Sequence, residues 1–394
     1  MLITAARVLA GPGTYLFDGA VLIEGEKIVA VGPRGEVEPQ APAGTPRLDF
    51  PGGTVLPGLI DAHVHLSFDG GADPVAALAE QDDTALFSAM RTRAAQLVAS
   101  GVTTVRDLGD RGGLALRLER EIASGTAPGP RIISAAVPVT PPGGHCHFLG
   151  GEVSGVEEIR ALVKRNVAAG ARVIKVMETG GGLTKDGSKS WETQFSAEEL
   201  AALVAEAHEA GLPVAAHAHG TDGIAAAVQA GVDTLEHCTW MTADGFDLRQ
   251  DVLEQIITQG IHVCPTISQH WPMLPRIFGA ERAEAMFGLI RQMAGAGVKL
   301  VAGTDAGVQR TGFTGIADSL AFYEHLGLDR GRILDMATGE AANALGVGGT
   351  TGQITAGYSA DLLVVEGDPL ADLSHLKQVT AVIARGTRLA AETI

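Results

Sequence analysis

The feature that most constrains the fold is a repeated alternation in the middle of the chain. Short apolar runs alternate there with alanine-rich stretches of helical periodicity, such as residues 196–211 and 221–231, which both end at glycine. Eight runs have strand character, and they begin near residues 58, 102, 131, 173, 213, 234, 261 and 299. Because alternating strands and helices form parallel sheets, eight such units predict an α/β fold, a (β/α)8 TIM barrel.

Both ends of the chain have a different pattern. Residues 1–56 contain short strands and turns, including a hairpin over residues 20–32, and residues 352–394 contain further strands. We therefore predict that residues 1–56 and 351–394 together form one small β-sandwich domain. Residues 57–350 form the barrel domain between them.

Composition narrows the classes of partner. Lys+Arg 29 against Asp+Glu 46 gives a net charge of −17 without a basic stripe, which argues against nucleic acid. Three cysteines are too few for a disulfide framework and indicate a reduced, cytoplasmic protein. The first residues do not resemble a signal peptide, and no uncharged apolar run is long enough to span a membrane. We expect a cytoplasmic homo-oligomer that acts on a small molecule.

Polar side chains stand at the ends of five predicted strands. They are His63 and His65 on the first, Lys175 on the fourth, His217 and His219 on the fifth, His237 on the sixth and Asp305 on the eighth. Residues i and i+2 of a strand share a face, and barrel interiors are otherwise filled by branched apolar side chains. Active sites of such barrels lie at the C-terminal ends of the strands. An active site at the C-terminal ends of the barrel strands explains why these polar side chains stand there.

A metal centre is the chemistry that these residue types favour. Imidazole and carboxylate groups suit zinc, and this set exceeds what one tetrahedral ion needs, so we expect two Zn2+ ions about 3.5–4 Å apart. Lys175 is unusual, since an ammonium would be repelled by the ions. Burial beside positive charge lowers a lysine pKa, and the neutral amine can combine with carbon dioxide to give a carbamate that bridges two ions.

A family resemblance supports this interpretation. The segments that carry it are "PGLIDAHVHL", "GVTTVRDLG", "GGHCHFLGGE", "VIKVMETGGG", "VAAHAHG", "GVDTLEHCTW", "AGTDAG" and "GQITAGYSADLLVVEGDPL". In this order they resemble the amidohydrolase superfamily, specifically its imidazolonepropionase-like and Xaa-Pro dipeptidase-like (prolidase-like) members, over essentially the whole chain.

The resemblance assigns roles to the metal-site residues. It implies that His63 and His65 bind one ion, that His217 and His237 bind the second, and that Lys175 is the carboxylated bridging lysine. Asp305 is then the ligand of strand eight and the proton shuttle. The implied reaction is hydrolysis of a C–N bond in an amide, a peptide such as a dipeptide, or a cyclic amide, by a hydroxide held between the ions.

Other residues are assigned to the substrate. His145 follows strand three and is expected to donate to the carbonyl oxygen of the substrate. His219, Trp240 and Arg310 are expected to contact the substrate, Arg310 through a carboxylate. The segment "GHCH" (144–147) has too few well-placed ligands for a separate zinc site and is expected to be a substrate loop.

Three alternatives stay open at this point. Esters, carbamates or organophosphates are further substrates for the same centre, because the fold does not determine the substrate. A mononuclear site with an unmodified Lys175 is the second alternative. A non-catalytic protein with the amidohydrolase fold is the third.

Overall fold

All eight barrel strands predicted from the sequence are present in the computed structural model, which describes residues 1–389. In chain order the strands are β1 (Leu2–Gly11), β2 (Thr14–Glu24), β3 (Lys27–Pro33), β4 (Arg47–Pro57), β5 (Leu59–Val64), β6 (Val102–Asp107), β7 (Arg131–Ser134), β8 (Ile174–Met177), β9 (Val214–Gly220), β10 (Thr234–Met241), β11 (His262–Cys264), β12 (Lys299–Leu300), β13 (Leu362–Glu366), β14 (Val379–Ala384) and β15 (Thr387–Arg388). The predicted eight are β5 to β12.

Backbone hydrogen bonds close β5 to β12 into a ring. Strands β5–β6–β7 pair in parallel, as do β8 to β12 in sequence order. The amide of Val139, just after β7, donates to the carbonyl of Lys175 at 2.8 Å, and the amide of Ala62 on β5 donates to Ala302, after β12, at 2.9 Å. The predicted (β/α)8 barrel is therefore confirmed.

Helices follow most barrel strands, as the alternation predicts. One short helix, α1 (Arg34–Val37), precedes the barrel. In chain order the other helices are α2 (Pro74–Glu80), α3 (Asp83–Ala99), α4 (Leu114–Ala123), α5 (Gly155–Ala169), α6 (Ala197–Glu209), α7 (Thr221–Ala230), α8 (Gln250–Gln259), α9 (Leu274–Phe278), α10 (Ala280–Ala296), α11 (Ile316–His325), α12 (Arg330–Met336) and α13 (Gly339–Ala344). None of these helices has the length and apolar character needed to cross a membrane.

Local sequence sets the start of α6 and which of its faces is buried. Ser196 and Glu199 form a reciprocal capping box, in which each side chain accepts from the other residue's backbone amide. Leu200, Leu203 and Val204 then lie buried on one side of the helix. Each such side chain contributes roughly 1.5–3 kcal/mol by leaving water, so the apolar stripe fixes the helix against the barrel.

The two ends of the chain meet in one seven-stranded sheet of order β15-β14-β13-β4-β1-β2-β3. Strands β1 and β4 are parallel and the other pairs are antiparallel, including the predicted hairpin β2–β3. Strand β13 pairs directly with β4, which joins the two termini. The boundaries at residues 56 and 351 stay a prediction, and residues 390–394 lie outside the described part of the chain.

Asp361 links this sheet to the barrel. Its buried carboxylate accepts from Arg131 on β7 at 3.2 Å, from the hydroxyl of Thr351 at 3.0 Å and from the amide of Arg385 at 2.8 Å. Arg131 and Asp361 also form an ion pair in which the aspartate is fully buried. A carboxylate with three donors from three segments holds the small sheet in a fixed position on the barrel.

Asp361→Ala should lower the free energy of unfolding by about 2–4 kcal/mol, because it leaves the partly buried guanidinium of Arg131 and two other donors without their acceptor. Urea unfolding followed by circular dichroism measures the loss. The matched control is Asp83→Ala, which removes an exposed pair with Arg111 and should cost less than about 1 kcal/mol. Equal losses in the two variants would contradict this role of Asp361.

Candidate metal centre

A cavity of about 250 Å³ lies at the C-terminal ends of the barrel strands. Its walls are formed by His65, His145, Cys146, Lys175, Met177, Gly182, Leu183, His217, His219, His237, Asp305, Val308 and Gln309. Five of the six predicted metal ligands are in this wall. The sixth, His63, is 1% exposed and lies directly behind His65.

The first group of predicted ligands converges on one point. The Nε2 atoms of His63 and His65 are 3.3 Å apart. Oδ1 of Asp305 is 3.3 Å from Nε2 of His63 and 3.5 Å from Nε2 of His65. Strand alternation brings the two histidines to one face, as predicted, and the segment that follows β12 brings Asp305 next to them.

A second group, made of histidines, lies beside the first. The rings of His217 and His237 have centroids 4.5 Å apart, and His219 stacks on His237 at 4.3 Å. Donor atoms of these three residues lie within 4.8 Å of one another, and the same is true of His63, His237 and Asp305. The structure therefore brings all the predicted histidine ligands together.

Hydrogen bonds fix which nitrogen of each histidine faces the cavity. Nδ1 of His65 contacts the carbonyl of Gly109 at 3.2 Å, and Nδ1 of His237 contacts the hydroxyl of Thr266 at 2.6 Å. Nε2 of His217 contacts the carbonyl of Gly180 at 3.1 Å. A ring nitrogen that donates to a carbonyl leaves the opposite nitrogen as a lone-pair donor, which is the usual arrangement of metal-binding histidines.

Lys175 is the most unusual side chain of the cavity. It is fully buried, and its Nζ has no hydrogen-bond partner among residues 1–389. Burial lowers the pKa of Lys175 to about 8, and the nearby Arg106 acts in the same direction while Glu236 opposes it. An unpartnered amine at this depth is costly, so a group that occupies the cavity is needed to satisfy it.

Burial also shifts the histidines and Asp305 toward their neutral forms. It lowers the pKa of His63, His217 and His237 well below the ordinary value, helped by neighbouring positive groups. It raises the pKa of Asp305 to about 7, against the attraction of Lys175. Neutral imidazoles are the form that binds a metal, and the donor set of nitrogen and carboxylate oxygen fits zinc-type divalent ions.

Two of the predicted ligands have unusual backbone angles. His237 has φ 68° and Asp305 has φ 60°, in the left-handed region that residues other than glycine rarely adopt. Strand pairing is irregular between His237 and Met241 on β10. Such strain persists only where the surroundings enforce it and is commonest at functional sites.

The loop after β7 places His145 in the cavity wall, as predicted. Its Nδ1 is 3.4 Å from the hydroxyl of Thr184, and its ring centroid is 4.5 Å from that of His217. Gly181 packs under the ring so closely that a Cβ there would lie 2.5 Å from it. Cys146 also lines the cavity, whereas the side chain of His147 is 41% exposed, so the "GHCH" segment does not gather into a site of its own.

Of the three predicted substrate contacts, only His219 lines the cavity. The structure corrects Trp240, which is fully buried in the core with its indole nitrogen 3.4 Å from the sulfur of Met293. Left-handed φ values at His237, Cys238 and Trp240 break the strand alternation and turn the indole away from the cavity. Arg310 is exposed, and its backbone amide binds Gly71; its side chain lies outside the cavity wall.

An ion pair that was not predicted from the sequence lies beneath the cavity. Glu236 is fully buried; its Oε2 is 2.8 Å from Nδ1 of His63 and its Oε1 is 2.7 Å from the guanidinium of Arg106. Strand alternation by itself would place Glu236 and its neighbour His237 on opposite faces of the strand. The left-handed turn at His237 allows both to reach the interior. The available sequence signal was a charged residue, Glu236, directly before a predicted ligand in the strand segment "TLEHC".

Known proteins that resemble this chain identify its family. Residues 54–389 match the amidohydrolase family, and residues 19–43 match the bacterial imidazolonepropionase-like composite domain. The chain belongs to the amidohydrolase family. It is therefore a hydrolase, and enzymes of this family generally use divalent metal ions and act on small molecules.

Individual amidohydrolases resemble this chain along most of its length. Ochratoxinase of Aspergillus niger is 28% identical over 97% of this chain and 84% of its own. Imidazolonepropionase of Cereibacter sphaeroides is 27% identical over 91% of this chain and 90% of its own. The crystal structure of a Xaa-Pro dipeptidase with bound methionine superposes with a TM-score of 0.86, 28% identity and 99% coverage of both chains. The resemblance stated from the sequence is confirmed.

One buried acid of this amidohydrolase lies outside the cavity wall. Glu178 follows β8 and is fully buried, and neither carboxylate oxygen has a hydrogen-bond partner among the described residues. Burial raises the pKa of Glu178 to about 9, and Glu199 adds to the shift. At pH values between the ordinary pKa of 4.5 and about 9, Glu178 therefore holds a proton in the folded chain that it releases in the unfolded chain.

Glu178→Gln should remove this linkage. Because folding of the wild type requires that extra proton, its free energy of unfolding falls as pH rises from about 5 to 8. The free energy of unfolding of Glu178→Gln relative to that of the wild type should therefore increase by up to about 1.4 kcal/mol per pH unit. Urea unfolding of both proteins at pH 5, 6, 7 and 8 measures the difference. Glu209→Gln, at an exposed position, is the control and should follow the wild type. A constant offset for Glu178→Gln would contradict the assignment.

Proposed function

We propose that this amidohydrolase hydrolyses a C–N bond of a small amide, peptide or cyclic amide with a centre of two Zn2+ ions. One observation carries the proposal. Inward nitrogens of His63 and His65 and the carboxylate of Asp305 converge on one point, beside a second histidine group and the unpartnered Nζ of Lys175. His63 and His65 would hold one ion, His217 and His237 the other, and Asp305 would complete the set.

The two ions, when bound, would supply a nucleophilic water at neutral pH and polarise the scissile carbonyl. Lys175 would hold them together as its carbamate. Its lowered pKa leaves a fraction of free amine near neutral pH. That nitrogen would attack the carbon of carbon dioxide and release one proton to solvent, and the resulting carbamate would offer two oxygens as metal ligands.

Asp305 is placed to move the proton of the reaction. Its Oδ1 lies 3.3 Å from Nε2 of His63 and 3.5 Å from Nε2 of His65, beside the point where the attacking water would be held. It would receive the proton of the attacking water and pass it to the leaving nitrogen, so that the amine departs neutral.

His145 would act on the carbonyl oxygen. Burial lowers the pKa of its imidazole to about 3, so the ring is neutral and carries one N–H. With one nitrogen close to Thr184, the other can donate to the oxygen as negative charge develops there. The fixed position of the ring above Gly181 reduces the reorganisation that this step needs.

The cavity wall indicates a small substrate. Met177, Leu183 and Val308 offer apolar surface, while His219 and Gln309 offer polar contacts. A dipeptide is one candidate, since a similar structure is a Xaa-Pro dipeptidase. Arg310 would reach a substrate carboxylate from outside the wall, and Trp240 has no part in binding.

Assembly and compartment belong to the same proposal. Met273, Ile277 and Phe278 expose 41%, 63% and 49% of their surface on one short segment, which favours self-association into a homo-oligomer. All three cysteines are free and buried, as expected of a protein from the reducing cytoplasm.

Metal content of the purified enzyme tests the centre. Wild type should bind about two zinc ions per chain, and Lys175→Ala should lose one of them and roughly a hundredfold or more in activity, because the bridge is missing. Inductively coupled plasma mass spectrometry measures the metal. The control is Lys185→Ala, which removes an exposed lysine paired with Asp73 and should keep both ions. No zinc in the wild type would contradict the proposed centre, and two ions in Lys175→Ala would exclude the bridging role.

A substrate screen tests the reaction. The zinc-loaded enzyme should release amine from one or more of N-acyl amino acids, dipeptides and lactams, with carbamates, esters and phosphotriesters as comparison classes. Chromatographic detection of both products measures turnover. Turnover of esters or phosphotriesters alone would contradict the proposed C–N specificity.

A further inference from the structure

The buried pair Arg106–Glu236 lies beneath the metal cavity and contacts the deepest ligand. Both side chains are essentially fully buried. Oε2 of Glu236 is 2.8 Å from Nδ1 of His63, and Oε1 accepts from Arg106 at 2.7 Å and from Thr234 at 2.7 Å. Both carboxylate oxygens of Glu236 therefore have hydrogen-bond partners from other residues of the barrel.

Arg106 fixes the orientation of Glu236 from the other side. Its guanidinium donates to the carbonyl of Ala62 on β5 at 2.8 Å and to the hydroxyl of Thr234 on β10 at 2.9 Å, as well as to Glu236. Since Arg106 is on β6, the network ties three barrel strands together. A guanidinium has only donors, so Oε1 of Glu236 must face it as an acceptor.

His63 differs from the other histidines in the kind of partner it has. The outer nitrogens of His65 and His217 contact backbone carbonyls, and that of His237 contacts a hydroxyl, all of them neutral groups. His63 contacts a carboxylate. A carboxylate stabilises the Nδ1–H tautomer more strongly than a neutral carbonyl or hydroxyl does, and it increases the basicity of Nε2. This Nε2 is the nitrogen that lies close to His65 and Asp305.

We propose that Arg106 and Glu236 are positioning residues of this amidohydrolase, which hold His63 in the Nδ1–H tautomer with Nε2 directed at the metal. The inference rests on the proposed zinc centre. It assigns Glu236 a role through His63, although Glu236 also lies near His63 and Cys264 in a group that could itself hold a metal. Both roles predict weaker zinc binding when Glu236 is replaced by Gln, but they differ in what a second substitution at Arg106 does.

Glu236→Gln keeps the size of the side chain but carries one acceptor and one donor end. If its oxygen faces Arg106, its amide N–H faces Nδ1 of His63 and forces the Nε2–H tautomer, which cannot bind metal. If its oxygen faces His63, its amide opposes the donors of Arg106. Neither orientation of the amide satisfies both Arg106 and the Nδ1–H tautomer of His63, so the affinity for one zinc ion should fall by about 10–100-fold.

Removing Arg106 should relieve the conflict. In the double variant Arg106→Met/Glu236→Gln, the amide of Gln can donate to Thr234 and its oxygen can accept from His63. The double variant should therefore bind the weakened ion more tightly than Glu236→Gln alone. A metal ligand at Glu236 would give no such recovery, because the carboxylate is absent from both variants.

The measurement is zinc affinity, by competition with a chromophoric chelator, on folded protein checked by circular dichroism. Cobalt substitution adds the visible spectrum of the same site as a second readout. Glu178→Gln, at a buried carboxyl whose oxygens have no hydrogen-bond partner among the described residues, is the matched control and should keep wild-type affinity. In a His63→Ala background, Glu236→Gln should cause no further loss.

The outcomes separate the two proposals. Weakened zinc binding in Glu236→Gln with recovery in the double variant supports the positioning role. Wild-type affinity in Glu236→Gln, or equal weakness in both variants, overturns it while the zinc centre stands. If Glu236→Gln does not fold, the double variant decides, and affinity more than a hundredfold below wild type overturns the positioning role. Absence of zinc from the wild type overturns the centre and the positioning role together.

Discussion

Polar side chains inside a closed parallel barrel have no water to bind, so each needs a partner from another strand. This constraint governs the arrangement beneath the cavity, where Arg106 on β6 connects the backbone of β5 with Glu236 and Thr234 on β10. A buried ion pair is expensive to desolvate and worth little as a source of stability. Its value here is orientation, because it fixes the ring of His63 and through it the geometry of the cavity.

Much of the fold and of the predicted ligand set could be predicted from the sequence because both follow from two regular alternations. The alternation of strands and helices gave all eight barrel strands, and the alternation of side chains along a strand gave His63 and His65 a common face. Glu236 and Trp240 could not be placed in this way. Both flank His237, whose left-handed backbone breaks the period of two, and no local sequence rule predicts that conformation.

Resemblance and geometry inform different levels of function. Similarity along the whole chain establishes the amidohydrolase family and its reaction class. The wall of the cavity comes from loops after β7, β8 and β12, which contribute Cys146, Leu183 and Val308. Loops tolerate change more readily than the strands that carry the ligands. One family can therefore keep a common centre while its members act on different molecules.

The pairing of β4 with β13 has a consequence for the order of folding. Residues 362–366 complete an edge that residues 53–57 present, and the whole barrel lies between them in the chain. During synthesis the barrel strands emerge before β13, so the edge of β4 that β13 covers remains unpaired and open to wrong partners. Closure of the small sheet is then a late event with high contact order, and it should limit the rate at which the native protein appears.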